Sequence, residues 1–265
     1  MTAVTAKTPT LLAATLCVLA LTGLTGCVTA GDKPDRRSTD SAQGDHAQDG
    51  SAQHLATQAV KATKAARSLR LKGTVHTGGA PALINLSLTA RGDCTGTVDV
   101  GPGTAEVRQK GRHSYVRANS AFYDAVSDDP RARLAAKLLK DRWAKVPRAA
   151  GKIADRSLDG PGDPTVYCEL STLLDKLGVE DARRAVKREA TTVDGHRVIP
   201  LVRKRDTETQ TSYVAAKGKP YLRKVDRRGG PDTGTLTFGD FGTSVHVDVP
   251  TGSDVVDLDS LGQLP

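Results

Sequence analysis

Leu69-Arg70-Leu71-Lys72-Gly73-Thr74-Val75-His76, followed after the Gly78-Gly79 turn by Ile84-Asn85-Leu86-Ser87-Leu88-Thr89-Ala90, decides the fold. Apolar or small residues take every second position, and polar residues take the positions between. Successive side chains of a strand point to opposite faces, so both segments read as strands with one dry face and one wet face. The pattern continues. Gly92-Asp93 turns into Cys94, Gly96, Val98 and Val100; Gly101-Pro102-Gly103 turns into 104–110; Lys110-Gly111 turns into 113–118. Short turns between alternating segments predict an antiparallel meander. Its inward residues are short or branched, and the whole chain holds three Phe, one Trp and five Tyr.

Upstream, residues 51–67 are rich in Ala, Gln and Lys. Leu55, Ala59, Ala62 and Ala66 lie along one thin helical face, so packing elsewhere must hold this helix. Downstream, Pro130 to Asp141 predicts a helix with Leu134, Leu138 and Leu139 on one stripe, Asp129 as its N-cap and Pro130 at its first position. Trp143 to Val146 reads as extended. Residues 169–177 predict a short amphipathic helix carrying Leu170, Leu173, Leu174 and Leu177, closed by Gly178. Strands are expected again at 183–193, 197–203, 209–215, 221–226, 233–239 and 244–248, with Asp194-Gly195 and Lys217-Gly218 as hairpin turns.

The N-terminus has a different character. Met1 to Lys7 holds one positive charge, and the apolar run from Leu11 to Leu21 is too short to span a bilayer, which needs about 20 residues. It has the length of a signal-peptide core. The run ends in Leu24-Thr25-Gly26-Cys27, which resembles the lipobox of bacterial lipoproteins. The resemblance implies cleavage before Cys27 and a diacylglyceryl anchor on its thiol, hence a protein held at the outer face of the cell membrane. Residues 28–50 carry almost nothing apolar and read as a flexible tether with a reach of about 25–30 Å. The organisation expected is a signal peptide over 1–26, a lipidated Cys and tether over 27–50, and one domain over 51–265. Residues 1–26 hold one base and no acid, so removing them takes the net charge from +8 to +7.

Two cysteines then remain, Cys94 and Cys168. Outside the cytoplasm an even pair favours a disulfide over two buried thiols. Closing so long a loop is worth about 4 kcal/mol in the chain-entropy account. The sequence has no His-Glu-x-x-His, no Gly-x-Ser-x-Gly, no cysteine pair at zinc spacing and no phosphate-binding Gly-rich loop. It therefore offers no catalytic set, metal site or cofactor motif. The basic clusters Arg183-Arg184, Lys187-Arg188, Arg203-Lys204-Arg205, Arg223-Lys224 and Arg227-Arg228 would place alternate members on the outer face of strands. Such a face suits an anionic surface, or is simply solvated. Nucleic acid is not expected as a partner, since stacking aromatics are missing.

Three stretches resemble one family. They are Gly111-Arg112-His113-Ser114-Tyr115-Val116-Arg117-Ala118 with the following Asp141-Arg142-Trp143, the opening Ser68-Leu69-Arg70-Leu71-Lys72-Gly73-Thr74, and Leu236-Thr237-Phe238-Gly239-Asp240-Phe241-Gly242 with Val245-His246-Val247-Asp248-Val249-Pro250. Together they are similar to the LppX/LprG-type actinobacterial lipoproteins. The resemblance implies a LolA-like α+β fold, in which a strongly bent antiparallel sheet forms a half-barrel with helices on its concave face. It also implies an apolar cavity for lipid or glycolipid cargo between sheet and helices. Leu71, Val75, Leu86, Leu88 and Val98 are then expected on the sheet wall, with Leu134, Leu138, Leu139, Leu173, Leu174 and Leu177 on the helical wall. The other reading is an envelope interaction or sensor module with a filled core, acting through its basic outer face.

Overall fold

The computed structural model describes residues 50–77, 79–126, 137–139, 141–147 and 163–258, which belong to one compact unit. The sheet is open, curved and thirteen-stranded. Its first half is the meander read from the sequence: β1 (Ser68–Thr77), β2 (Ala82–Thr89), β3 (Cys94–Val100), β4 (Gly103–Lys110), β5 (His113–Ala118) and, after a gap, β6 (Trp143–Pro147). The second half holds β7 (Val186–Lys187), β8 (Thr191–Val193), β9 (His196–Arg205), β10 (Glu208–Ala215), β11 (Leu222–Arg228) and β12 (Asp232–Gly239). The two halves meet where β1 pairs antiparallel with β12, so the domain's first strand lies in the middle of its sheet.

The described helices include α1 (Ala52–Lys64), α2 (Ser120–Val126) and α3 (Leu170–Leu177), with 3-10 turns over Pro164–Cys168 and Gly252–Asp254. Ser51 caps α1 by accepting from the amide of His54. Leu55, Ala56, Ala59, Val60 and Thr63 are the residues α1 buries. Thr63 is buried without cost, because its hydroxyl donates to Ala59 O at 2.7 Å and accepts from Leu222 N at 2.9 Å. α3 ends at Gly178, which takes the left-handed conformation (φ 59°) that a side chain would disfavour.

Several details depart from the sequence reading. One strand pair is parallel: β13 (Val255–Asp257) runs alongside β6, so the sheet is mixed rather than wholly antiparallel. Residues 244–248 form no strand; Val247 is buried there, and Asp248 O accepts from Arg108 Nη1 at 3.0 Å instead. The run expected over 183–193 is split into β7 and β8. The cause is Pro200 in the partner strand. β8 pairs with residues 196–198 and β7 with 201–202, while Pro200 has no N–H to donate and accepts from Arg188 N at 2.9 Å. Helix α2 and the 3-10 turn over Pro164–Cys168 carry no periodic signal and were not anticipated. Of the helix expected over 130–141, residues 137–139 are helical, and most of the rest lies outside the described residues.

The inner face is a set of directly opposed rows. One runs Ala105, Val98, Ile84, Gly73, Leu236, Val225, Ser212 and Leu201 across eight strands. Gly73 is needed within it. At φ 154° its backbone lies so close to β12 that an added Cβ would sit 1.9 Å from Thr235 O. Gly73→Ala is expected to cost about 3 kcal/mol or more in urea unfolding. Gly101→Ala, at a left-handed turn with open space around it, is expected to cost about 1 kcal/mol. Equal losses at the two positions would contradict a close approach of β1 and β12.

Candidate ligand crevice and its basic rim

Cys94 and Cys168 are joined as a disulfide with Cα atoms 5.6 Å apart. Both are buried, so the bond fastens the 3-10 turn, and with it the N-terminal end of α3, to β3. Gln109 faces Cys94 from β4 and completes this corner. Its amide donates to Gly92 O at 2.8 Å and to Glu169 Oε1 at 3.2 Å, and its oxygen accepts from Ser114 at 2.8 Å. The C-terminal end of α3 is held by noncovalent contacts, with Val179 and Ala182 buried just beyond it. Arg227 Nη2 donates to Leu177 O at 3.2 Å, Gln53 Nε2 donates to Glu180 O at 2.6 Å, and Lys64 pairs with the exposed Asp175 at 2.6 Å. An exposed pair of this kind is worth at most about 1 kcal/mol.

Between α3 and the centre of the sheet lies an apolar crevice of about 60 Å³. It is lined by Val75, Tyr167, Leu173, Leu177, Val225, Arg227, Asp232, Gly234 and Leu236. That is about the volume two water molecules take up in the liquid, far below the roughly 300–1,000 Å³ of a typical ligand pocket. Three residues named from the sequence, Val75, Leu173 and Leu177, meet here. Leu71, Leu86, Leu88, Val98 and Leu174 are buried in the packed core beside it. Leu139 is buried, whereas Leu138 is 64% exposed. Leu134 and Cys27 lie outside the described residues. Tyr167, Val225, Gly234 and Leu236 were not read as crevice residues: Tyr167 sits in a non-periodic 3-10 turn, and Val225, Gly234 and Leu236 are brought to Val75 by the pairing of β12 with β1, some 160 residues apart.

Burial pushes the Tyr167 hydroxyl up to about 12. The phenol must stay neutral inside the crevice while it ionises freely, near pH 10, in the unfolded chain. The unfolded state therefore binds fewer protons than the folded state above pH 10. Stability is unaffected by this group below pH 10 and falls as pH rises from 10 towards 12.

At its far edge the crevice meets polar residues. Val75 lies opposite Gly234, Gly234 opposite Arg227, Arg227 opposite Gln210, and Gln210 opposite Arg203, so one row crosses five strands from apolar to basic. Gln210 is buried, and its single amide oxygen accepts from Arg203 Nη2 at 3.1 Å and from Arg227 Nη2 at 3.2 Å. Thus Arg203 and Arg227, read as members of basic clusters, turn inward. Beyond Arg203 an open groove of about 580 Å³ is lined by Arg183, Arg184, Arg203, Lys204, Arg205, Asp181 and Asp206.

An open curved sheet whose inner face is covered by short helices, with an apolar seam between the layers, defines the class of fold. Among solved structures it matches LprF from Mycobacterium bovis, at 14% sequence identity and a TM-score of 0.51, over 76% of this chain and 97% of that one. The Mycobacterium tuberculosis lipoprotein LppX aligns at 15% identity and a TM-score of 0.44, over 74% of this chain and 98% of that one. The chain thus has the fold of the LppX/LprG-type lipoproteins that its sequence resembles. No protein-family model and no curated protein matches the sequence.

A spectrophotometric titration should find a tyrosine step near pH 12, and Tyr167→Phe should remove it. A uniform transition near pH 10 would contradict the enclosed position of Tyr167.

Proposed function

We propose that this protein is a non-enzymatic, lipid-anchored envelope protein that takes acyl chains of lipidic molecules into the seam between α3 and the sheet. The observation that carries the reading is the crevice itself, which is apolar, centrally placed and closed on one side by a short helix anchored at its other end. The lipobox-like Leu24-Thr25-Gly26-Cys27 supports an anchored, extracytoplasmic location and the tether over 28–50. Among the described residues no helix is long and apolar enough to cross a membrane.

The energetics set the terms. In its closed form the crevice is too small for an acyl chain, so α3 must lift from the sheet. Lifting exposes Leu173, Leu174 and Leu177, at a cost of roughly 5–9 kcal/mol for three leucines. An entering chain offsets this at about 0.8 kcal/mol per buried methylene, so about eight or more methylenes balance it. Short fatty acids are then poor ligands and long acyl chains good ones. The disulfide keeps the N-terminal end of α3 in place while its C-terminal end swings. A second reading, a filled-core interaction module, is favoured by the small size of the crevice and by the basic groove.

Native mass spectrometry of the exported protein carrying Cys27→Ser should reveal a bound lipid, and Leu173→Trp, which fills the crevice, should abolish it while the protein stays folded. A folded protein that remains empty after incubation with membrane extract would sink the carrier reading and favour the second. In the native chain, metabolic labelling with palmitate should mark the protein, and Cys27→Ser should abolish the label.

A further inference from the structure

The crevice and the groove are two ends of one feature. The row Val75, Gly234, Arg227, Gln210 and Arg203 leads from the first into the second, and from Gly234 to Arg203 it crosses three strand spacings, about 14 Å. The near end is apolar. At the middle, two guanidinium groups converge on the neutral oxygen of Gln210. The groove at the far end holds five bases against two acids, Asp181 and Asp206. Asp181 pairs with Arg183 and with Arg203, at 3.3 Å each, and Glu208 stands 3.5 Å from Arg227. Among the described residues, Arg184, Lys204 and Arg205 are exposed and pair with no carboxylate.

We infer that this feature selects an anionic amphiphile: a lipid whose acyl chain enters the crevice and whose phosphate or other anionic headgroup rests on the basic groove. The inference rests on the carrier reading above and adds the charge of the cargo to it. Three features favour this pairing over a free anion. The basic groove adjoins the apolar seam through continuous strand pairing. Its bases outnumber its acids. The spacing of about 14 Å suits a headgroup lying along the sheet away from a buried chain. Guanidinium groups favour phosphate because their planar donors match two of its oxygens.

The test compares two probes of equal chain length, monoacyl phosphatidylglycerol and the uncharged, phosphate-free monoacylglycerol. Each is titrated below its micelle concentration into the exported Cys27→Ser protein. The anionic probe should bind more tightly, by about fivefold for each base it engages. The surface variant Arg184→Gln/Lys204→Gln/Arg205→Gln should lose that preference, keep its affinity for the monoacylglycerol probe, and melt as the parent does. Equal affinity for both probes, or an undiminished preference in the variant, would overturn the inference and leave the carrier reading standing. If neither probe binds, both readings fail. If glycerol phosphate alone binds as tightly as the anionic lipid, the groove serves a free anion, and the assignment to a lipid headgroup is overturned.

Discussion

The covalent tie between Cys94 and Cys168 governs how the inner face of this protein is covered. A thirteen-stranded sheet with a dry face must be roofed, and the described helices that do so are short: thirteen residues in α1, seven in α2 and eight in α3. An eight-residue helix has little stability of its own. The disulfide fixes the N-terminal end of α3 against β3 in the folded state. By closing a loop between residues 74 apart it also restricts the unfolded chain, a contribution of about 4 kcal/mol in the entropic account. Gln109, Ser114 and Glu169 form a hydrogen-bonded corner around this point, so the bond is built into the sheet rather than added at its edge.

Beyond that fixed point the roof is held by noncovalent contacts alone. The contacts at and just beyond the other end of α3 are all noncovalent: buried leucines, Val179 and Ala182, hydrogen bonds from Arg227, Gln53 and Arg203 to backbone carbonyls, and one exposed ion pair. The asymmetry gives the layer a direction in which to open. The sheet beneath it has none. Gly73 and Gly234 bring β1 and β12 into such close approach that neither could carry a side chain without displacing the neighbouring backbone. A rigid floor and a roof anchored at one end are what a reversible seam requires.

The first half of the sheet was legible because the chain announces it locally. From Leu69 to Ala118, alternation and Gly-containing turns place each strand, and the paired rows follow from hairpin geometry. The amphipathic helix at 170–177 and the cysteine pair were equally readable. What failed depends on distant partners. Residues 244–248 alternate like a strand yet form none, while Val255–Asp257 shows little pattern and pairs with β6. The break between β7 and β8 is dictated by Pro200 on another strand. The crevice was half legible for the same reason. Val75, Leu173 and Leu177 come from locally periodic segments, whereas Val225, Gly234 and Leu236 join them through pairings that no local spacing encodes. The inward turn of Arg203 and Arg227 was hidden too, since a basic cluster read from sequence suggests a wet face.

A seam that takes up acyl chains requires that α3 open without the sheet. Native-state hydrogen exchange tests it most directly by comparing the amides of Leu173, Leu174 and Leu177 with those of Leu71 and Leu86 in β1 and β2. The α3 amides are expected to exchange through a partial opening of roughly 5–9 kcal/mol or less, with a denaturant dependence weaker than that of global unfolding, while the strand amides wait for global unfolding. If α3 and the strands exchange together, with the same free energy and the same dependence on denaturant, the helix is part of a closed core and the seam does not open.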